Sequence, residues 1–384
     1  MKVALVHDYL KEYGGAEKVL EELHATYPEA DVYTLIYLPK FLGPHRKRFE
    51  DWKIKTSILQ YVPFKGKMIS LFRLIDPFIF KMFDLSGYDL VIVSAAGTYS
   101  GVNSFKKGKN TLHICYCHTP PRYLYGYATA NKWTTNAFRK FLLALGQIPM
   151  HFIRMYNFLD AQKPDYFIAN SKEIKSRINK FYRREAQVIN PPIDIPETYG
   201  TTPIDRRRYY LTGGRLARAK RFDLAVEACT KLGLPLKVFG RSFAGYGEEL
   251  KAIAGKNVEF LGEVSQEAKW KLIKGAKAYI SPSLQEDFGM LNLEVNAGGT
   301  PVIAYKSGGV LETVIDPSAG SGQATGLMFD EPEVGSLIKT IQKFEKGKFT
   351  PEICRKHALK YSTGKFKKEI ASFVKNRLDD NFKH

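Results

Sequence analysis

The chain has 384 residues, 44% of them hydrophobic and 13% aromatic, which supports buried cores and excludes a disordered chain. At about 100–200 residues per domain two domains are predicted, and no stretch reaches the ~20 apolar residues that span a bilayer. The formal net charge of +19 calls for an anionic partner (nucleic acid, a phosphorylated substrate or a membrane surface) without choosing among them. The opening run MKVALVHDYL is broken at His7 and Asp8, too early for a signal-peptide core. Cys115, Cys117, Cys229 and Cys354 lack the spacing of a disulfide framework, so reduced thiols and a cytosolic chain are predicted.

In chain order, Val3–Val6 reads as a short buried strand. It runs into a loop at Gly14-Gly15 and then a helix with apolar spacing through Val19, Leu20 and Leu23, the opening of a βαβ unit. Further strands are predicted at Asp31–Ile36, Leu90–Val93, Leu112–Tyr116 and Tyr166–Ala169. Their unbroken Val/Ile/Leu/Tyr runs suit a parallel sheet covered on both faces. Cys115-x-Cys117 lies inside one such run with no second pair, so it is not read as a metal site. Between Val188 and Thr202, Pro191, Pro192, Pro196 and Gly200 interrupt regular structure and mark a linker. The domain prediction is therefore 1–190 and 203–365, with a basic helix of about 366–384 packing back on the first. In the second domain strands are predicted at Tyr209–Leu211, Leu236–Phe239, Val258–Leu261, Ala278–Ile280 and Pro301–Ala304. Helices are predicted at Asp223–Leu232 and Gln266–Lys274.

Three segments carry candidate chemistry. In SLQEDFGMLNLEVNAGGTPVIAYKSGGVLET, Ser283–Thr313, a loop after a strand presents Glu286, a helix starts near Phe288-Gly289, and Glu294 lies one to two turns in. The unpaired N–H groups and dipole of such a start favour phosphate, and glycine lets a ligand approach them. Carboxylates on either side suit sugar or ribose hydroxyls, and the end of a parallel strand is where α/β folds bind ligands. In GGRLARAK, Gly213–Lys220, a glycine turn is followed by Arg215 and Lys220, which could clamp a diphosphate or simply form a basic surface loop. In YCHTPPRY, Tyr116–Tyr123, His118 directly follows a buried strand. Because no Asp-x-Asp pair occurs, no metal and no cofactor are expected, and leaving-group charge must be met by side chains and helix ends.

Glu286-x7-Glu294, followed by Pro301-Val302-Ile303-Ala304 and Gly308-Gly309-x-x-Glu312, resembles the signature of glycosyltransferase family 4. That resemblance implies an α/β GT-B fold, two Rossmann-like domains with parallel sheets facing a central cleft, and a retaining transfer from a nucleotide-sugar donor. It implies that Glu286 meets the donor sugar, Glu294 the ribose, and the amides of Phe288, Gly289, Met290 and Leu291 the diphosphate, with Arg215 and Lys220 as the family's cationic pair. Asn292 and Asn296 depart from the family's frequent proline and methionine. Tyr116–Tyr123, with His7-Asp8-Tyr9-Leu10, Gly14–Val19, Asn170-Ser171 and Pro191-Pro192, resembles a branch rich in mannosyltransferases. It implies that His118 approaches the donor sugar, that Gly14 and Gly15 join the donor site, and that GDP-mannose is the favoured donor with UDP-sugars second. The resemblance covers about residues 1–330. Another GT-B enzyme, such as an epimerase or a phosphorylase, is the alternative. A nucleic-acid partner is not expected, since neither an aromatic nucleic-acid motif nor zinc spacing accompanies the charge.

Between Asp89 and Asp160 there is no acidic residue but there are eight cations: Lys106, Lys107, Lys109, Arg122, Lys132, Arg139, Lys140 and Arg154. Val62–Phe83 sets one acid among four cations and many large apolar residues. This pairing suits an interfacial membrane element, predicting a cytoplasmic protein at the inner face of the cell membrane with a glycan or lipid-linked acceptor. The same apolar residues could instead pack the core of the first domain.

Overall fold

The computed structural model describes residues 1–127, 137–317 and 323–381, with the side chains of 137–146 and 380–381 outside the described set. The described residues fall into two compact units. One gathers those of Met1–Tyr127, Thr134–Pro192 and Thr363–His384, and the other those of Ile193–Ser362.

In the first unit seven parallel strands form one sheet: β1 Val3–His7, β2 Asp31–Thr34, β3 Ile54–Thr56, β4 Leu90–Ala95, β5 Leu112–Cys117, β6 Tyr166–Ala169 and β7 Ala186–Val188. Their order is β3-β2-β1-β4-β5-β6-β7, so the chain reverses direction across the sheet between β1 and β4. Val6 pairs with Tyr33 on one side and Val93 on the other. Successive side chains of a strand face opposite ways, and β1 divides accordingly. Ala4 and Val6 join one apolar cluster, whereas Val3 and Leu5 join the other, with Val19 and Leu20 of the helix Gly15–Thr26. Phe366, Ile370, Phe373 and Val374 of the helix Thr363–Asn381 close that second cluster. Both faces being covered is why β1, β4 and β5 are buried at every residue. Leu5 is fully buried, so Leu5→Ala would cost about 2–5 kcal/mol.

The second unit repeats the plan with β8 Tyr210–Gly213, β9 Leu236–Phe239, β10 Val258–Gly262, β11 Tyr279–Ser281, β12 Val302–Tyr305 and β13 Gly326–Phe329, ordered β10-β9-β8-β11-β12-β13. Its reversal falls between β8 and β11. Both orders are those of a doubly wound nucleotide-binding sheet, in which ligands sit beyond the strand ends at the reversal. The edge strands β3, β7 and β13 are not among the predicted strands. Two are three residues long with mixed burial, so they give no period-2 signal. The second strand is shorter than predicted, ending at Thr34 rather than Ile36.

Candidate active site

In the second unit the reversal point joins two loops. β8 ends at Gly213, the loop after it carries Gly214, Arg215 and Lys220, and the loop after β11 carries Glu286. The N–H of Leu284 donates to the carbonyl of Ala219 at 3.1 Å, and the Tyr279 hydroxyl donates to the Gly213 carbonyl at 2.6 Å. Burial, and then the nearby Glu286 and Glu294 carboxylates, push the Tyr279 phenol well above its usual range, so it remains a donor. The loops are so held that Lys220 Nζ lies 2.6 and 2.9 Å from the two carboxylate oxygens of Glu286. Their side chains are 34% and 16% exposed, largely sheltered but open to solvent.

Gly308-Gly309 explains how Glu286 is fixed. The Gly309 N–H donates to the Glu286 carbonyl at 2.7 Å. A Cβ at Gly308 would lie 2.3 Å from that carbonyl oxygen, and one at Gly309 would lie 2.4 Å from Phe288 Cα. Only residues without a side chain let the loop seat there.

The helix Met290–Ala297 begins on Gly289, whose φ of +93° favours glycine. The helix therefore starts one to two residues later than predicted. Phe288 is buried, packed edge-on against Tyr361 with ring centroids 5.7 Å apart. Met290 and Leu291 supply the first helical N–H groups, which a helix leaves without intrahelical partners. Glu294 is nearly buried on this helix and pairs with Lys269 at 2.9 Å rather than with Lys220. Arg215 is exposed, with its guanidinium 5.7 Å from the Phe243 ring centroid. The structure thus brings Lys220 to Glu286, Lys269 to Glu294, and Arg215 over Phe243. Sequence spacing did not single out Lys269. Asn292 is buried at the helix start, and its Nδ2 has no hydrogen-bond partner among the described residues. Asn296, the other departure from the family pattern, donates to the Thr300 and Thr325 carbonyls at 2.9 and 3.3 Å.

In the first unit Gly14 precedes the helix Gly15–Thr26, and its N–H donates to Glu17 Oε2 at 2.9 Å. His118 follows β5, is 8% exposed, and places Nε2 2.9 Å from Ser94 Oγ. Burial, helped by His7, pushes the His118 pKa down to about 3, so the ring is neutral near pH 7. Asp8 is fully buried and accepts from the N–H groups of Ala96, Thr98 and Tyr99 at 3.2, 2.7 and 3.1 Å. His7, Asp8 and Glu17 stand in motifs read from the sequence, whereas Ser94 carries no signal there, so the polar cluster they form is not legible in the sequence. Cys115 and Cys117 are buried inside β5.

Two doubly wound parallel sheets, each gathering polar side chains at its reversal, define the GT-B class. A model of the glycosyl transferases group 1 matches residues 199–361, and a model of glycosyltransferase family 4 matches residues 13–197. The chain belongs to the glycosyltransferases of family 4. It is 24% identical over 377 residues to the alpha-1,3/1,6-mannosyltransferase ALG2 of Candida glabrata, covering 82% of this chain and 78% of that one. It is 27% identical over 190 residues to the glycogen synthase of Mycoplasma mobile. That match covers 46% of this chain and only 39% of the synthase. The crystal structure of Anabaena Alr3699/HepE in complex with UDP superposes with a TM-score of 0.68 at 17% identity, covering 98% of this chain and all of that one.

Proposed function

We propose that this chain is a retaining glycosyltransferase that moves a hexose, mannose first among candidates, from a nucleoside-diphosphate sugar to a glycan or lipid-linked acceptor without a metal. The observation that carries this is the Lys220–Glu286 pair at the β8/β11 reversal, beside the start of the helix Met290–Ala297. A sugar diphosphate needs a hydrogen-bond acceptor for its hydroxyls and positive potential for its phosphates. Glu286 takes the sugar, Lys220 and the first helical N–H groups take the diphosphate, Arg215 adds charge, and Glu294 takes the ribose. In the first unit, Gly14, Gly15 and His118 are the residues that the family resemblance assigns to the donor. As the glycosidic bond breaks, negative charge grows on the departing phosphate, and a preorganised cation stabilises that state more than the ground state. The acceptor attacks the face the phosphate leaves, and a phosphate oxygen takes its proton, which retains the anomeric configuration.

The ALG2 match supports mannose, hence GDP-mannose, while the HepE–UDP complex keeps UDP-sugars second. Incubation of labelled GDP-mannose and UDP-sugars with a membrane lipid extract tests the reading. Label should pass from GDP-mannose to an extractable acceptor. Label found only in an isomerised sugar nucleotide or a free sugar phosphate would refute transfer.

The acceptor class is read from the surface of the first unit. In Val62–Phe83 the apolar residues divide: Phe72, Ile79, Phe80 and Phe83 enter the core, while Leu71, Leu74, Ile75, Phe78 and Met82 face solvent at helical spacing. In the helix Ala137–Asp160, Ile148, Phe152, Met155 and Leu159 form a second exposed stripe at the same spacing. The stripes are neighbours, since the Phe78 and Tyr156 rings lie 6.3 Å apart with Lys81 within 5.7 Å of both centroids. Phe78 and Phe152 are each 63% exposed. Apolar stripes flanked by lysine suit insertion into an anionic leaflet, where each cation adds about 1 kcal/mol. Of the cations singled out in the sequence, Lys132 and the side chains of Arg139 and Lys140 lie outside the described residues. No described helix is long and apolar enough to cross a membrane.

A further inference from the structure

A buried line of polar side chains joins the ends of three neighbouring strands in the first unit. His7 ends β1, Ser94 lies near the end of β4, and His118 follows β5. His7 Nδ1 is 2.9 Å from the Ser94 carbonyl oxygen and 3.2 Å from Ser94 Oγ. Ser94 Oγ is in turn 2.9 Å from His118 Nε2. At the other end His7 Nε2 faces Glu17 Oε1 at 3.6 Å, an ion-pair distance rather than a hydrogen bond. The second oxygen of Glu17 is held by the Gly14 N–H. His7 and Ser94 are wholly buried, and Glu17 and His118 nearly so.

The direction of each bond follows from what each atom can do. A carbonyl oxygen only accepts, so His7 Nδ1 carries a hydrogen, shared between the Ser94 carbonyl and Oγ. The buried Ser94 hydroxyl also has a hydrogen to donate, and its two hydrogen-bond neighbours are His7 Nδ1, which already carries one, and His118 Nε2, so that hydrogen points to His118 Nε2. That nitrogen therefore carries no hydrogen, and the neutral ring holds its proton on Nδ1, since one nitrogen's partner sets the state of the other. Glu17 sets the charge of the line. Burial opposes protonation of His7, but Glu17 and then Asp8 outweigh it and raise its pKa. Burial, and then the neighbouring His7, lower the His118 pKa.

We propose that Ser94, oriented by His7, is a positioning residue that fixes His118 as the neutral Nδ1–H tautomer, a hydrogen-bond donor rather than a base, with Glu17 acting on His7 alone. Only the catalytic consequence rests on the reading of His118 as a sugar contact. The tautomer itself does not.

The test is nitrogen-15 NMR of the histidine side chains in the full chain. Between about pH 6 and 8, His118 should show a protonated Nδ1 and an unprotonated Nε2. Ser94→Ala should abolish that preference. Glu17→Gln should leave the His118 tautomer unchanged but lower the pH at which His7 loses its second proton. A protonated His118 Nε2 in the wild-type protein, a tautomer indifferent to Ser94→Ala, or a His7 titration indifferent to Glu17→Gln would each overturn the proposal. In parallel, Ser94→Ala should lower kcat about tenfold or more, the size seen when groups that orient a functional histidine are removed. Its Kd for the nucleoside diphosphate should be unchanged. A shifted tautomer with unaltered kcat would leave the positioning line standing and remove His118 from the sugar site, so the two failures read separately.

Discussion

The two units share one strand order, yet their reversal points are chemically opposite. In the second unit the loops after β8 and β11 hold a partly exposed ammonium–carboxylate pair, Lys220–Glu286, beside a helix start. In the first unit the ends of β1, β4 and β5 hold His7, Ser94 and His118 in a buried hydrogen-bonded line. Topology fixes where polar side chains can collect, and local residues decide whether the place carries charge or fixes a proton. A leaving diphosphate calls for cations that are accessible yet preorganised. A neutral donor calls for a dry site in which each nitrogen's state is dictated by its partner.

Mutations should separate the two places. The largest effect is expected at Lys220. Lys220→Ala removes a preorganised cation and should lower kcat about 100–1,000-fold. Steady-state kinetics would check this, and near-normal turnover would place the leaving-group charge elsewhere. The next contrast lies within the second unit. Glu294→Ala should weaken nucleoside diphosphate binding by about tenfold, a hydrogen-bond-sized loss of about 1.4 kcal/mol. Glu286→Gln should spare nucleotide affinity and damage transfer. Equal loss of affinity in both would reverse the sugar and ribose assignments.

The first unit should respond to pH through stability. The His118 pKa falls from an ordinary 6.5 to about 3 on folding, so below 6.5 the unfolded chain binds the extra proton. Its contribution is present above pH 6.5 and is lost as pH falls towards 3. His118→Asn should thus show a smaller drop in Tm between about pH 7 and 5 than the wild type. An identical drop would mean that His118 is not held neutral. The smallest effect is expected at the apolar stripes. Phe78→Ser combined with Phe152→Ser should leave turnover on a soluble acceptor unchanged within about twofold, since exposed substitutions cost little stability. The same variant should reduce flotation with anionic vesicles, and undiminished binding would exclude these stripes as the contact.

Much of this was legible in the sequence where the pattern is continuous. β1, β4, β5 and β8 are apolar runs bounded by turns, and Glu286, Glu294 and the glycine pairs stand at spacings that fix a loop and a helix start. The pairing of Lys220 with Glu286 was not legible. Those residues stand 66 positions apart, and only the sheet crossover and the Gly308-Gly309 seat bring them together. The same holds for Ser94 and for the Glu294–Lys269 pair, because a serine in a buried strand carries no periodic signal. Val62–Phe83 was ambiguous for a different reason. Its apolar residues serve both the core and the surface, and composition cannot assign a face.

Lys220, Glu294 and the start of the helix Met290–Ala297 make the β8/β11 reversal the proposed nucleoside diphosphate site. Titration calorimetry of GDP and UDP against the wild-type chain, Lys220→Ala and Glu294→Ala tests it directly. One nucleotide should bind the wild type saturably, GDP ahead of UDP, and more weakly in both variants. Absence of binding to the wild-type protein, or affinity unchanged in both variants, would contradict it.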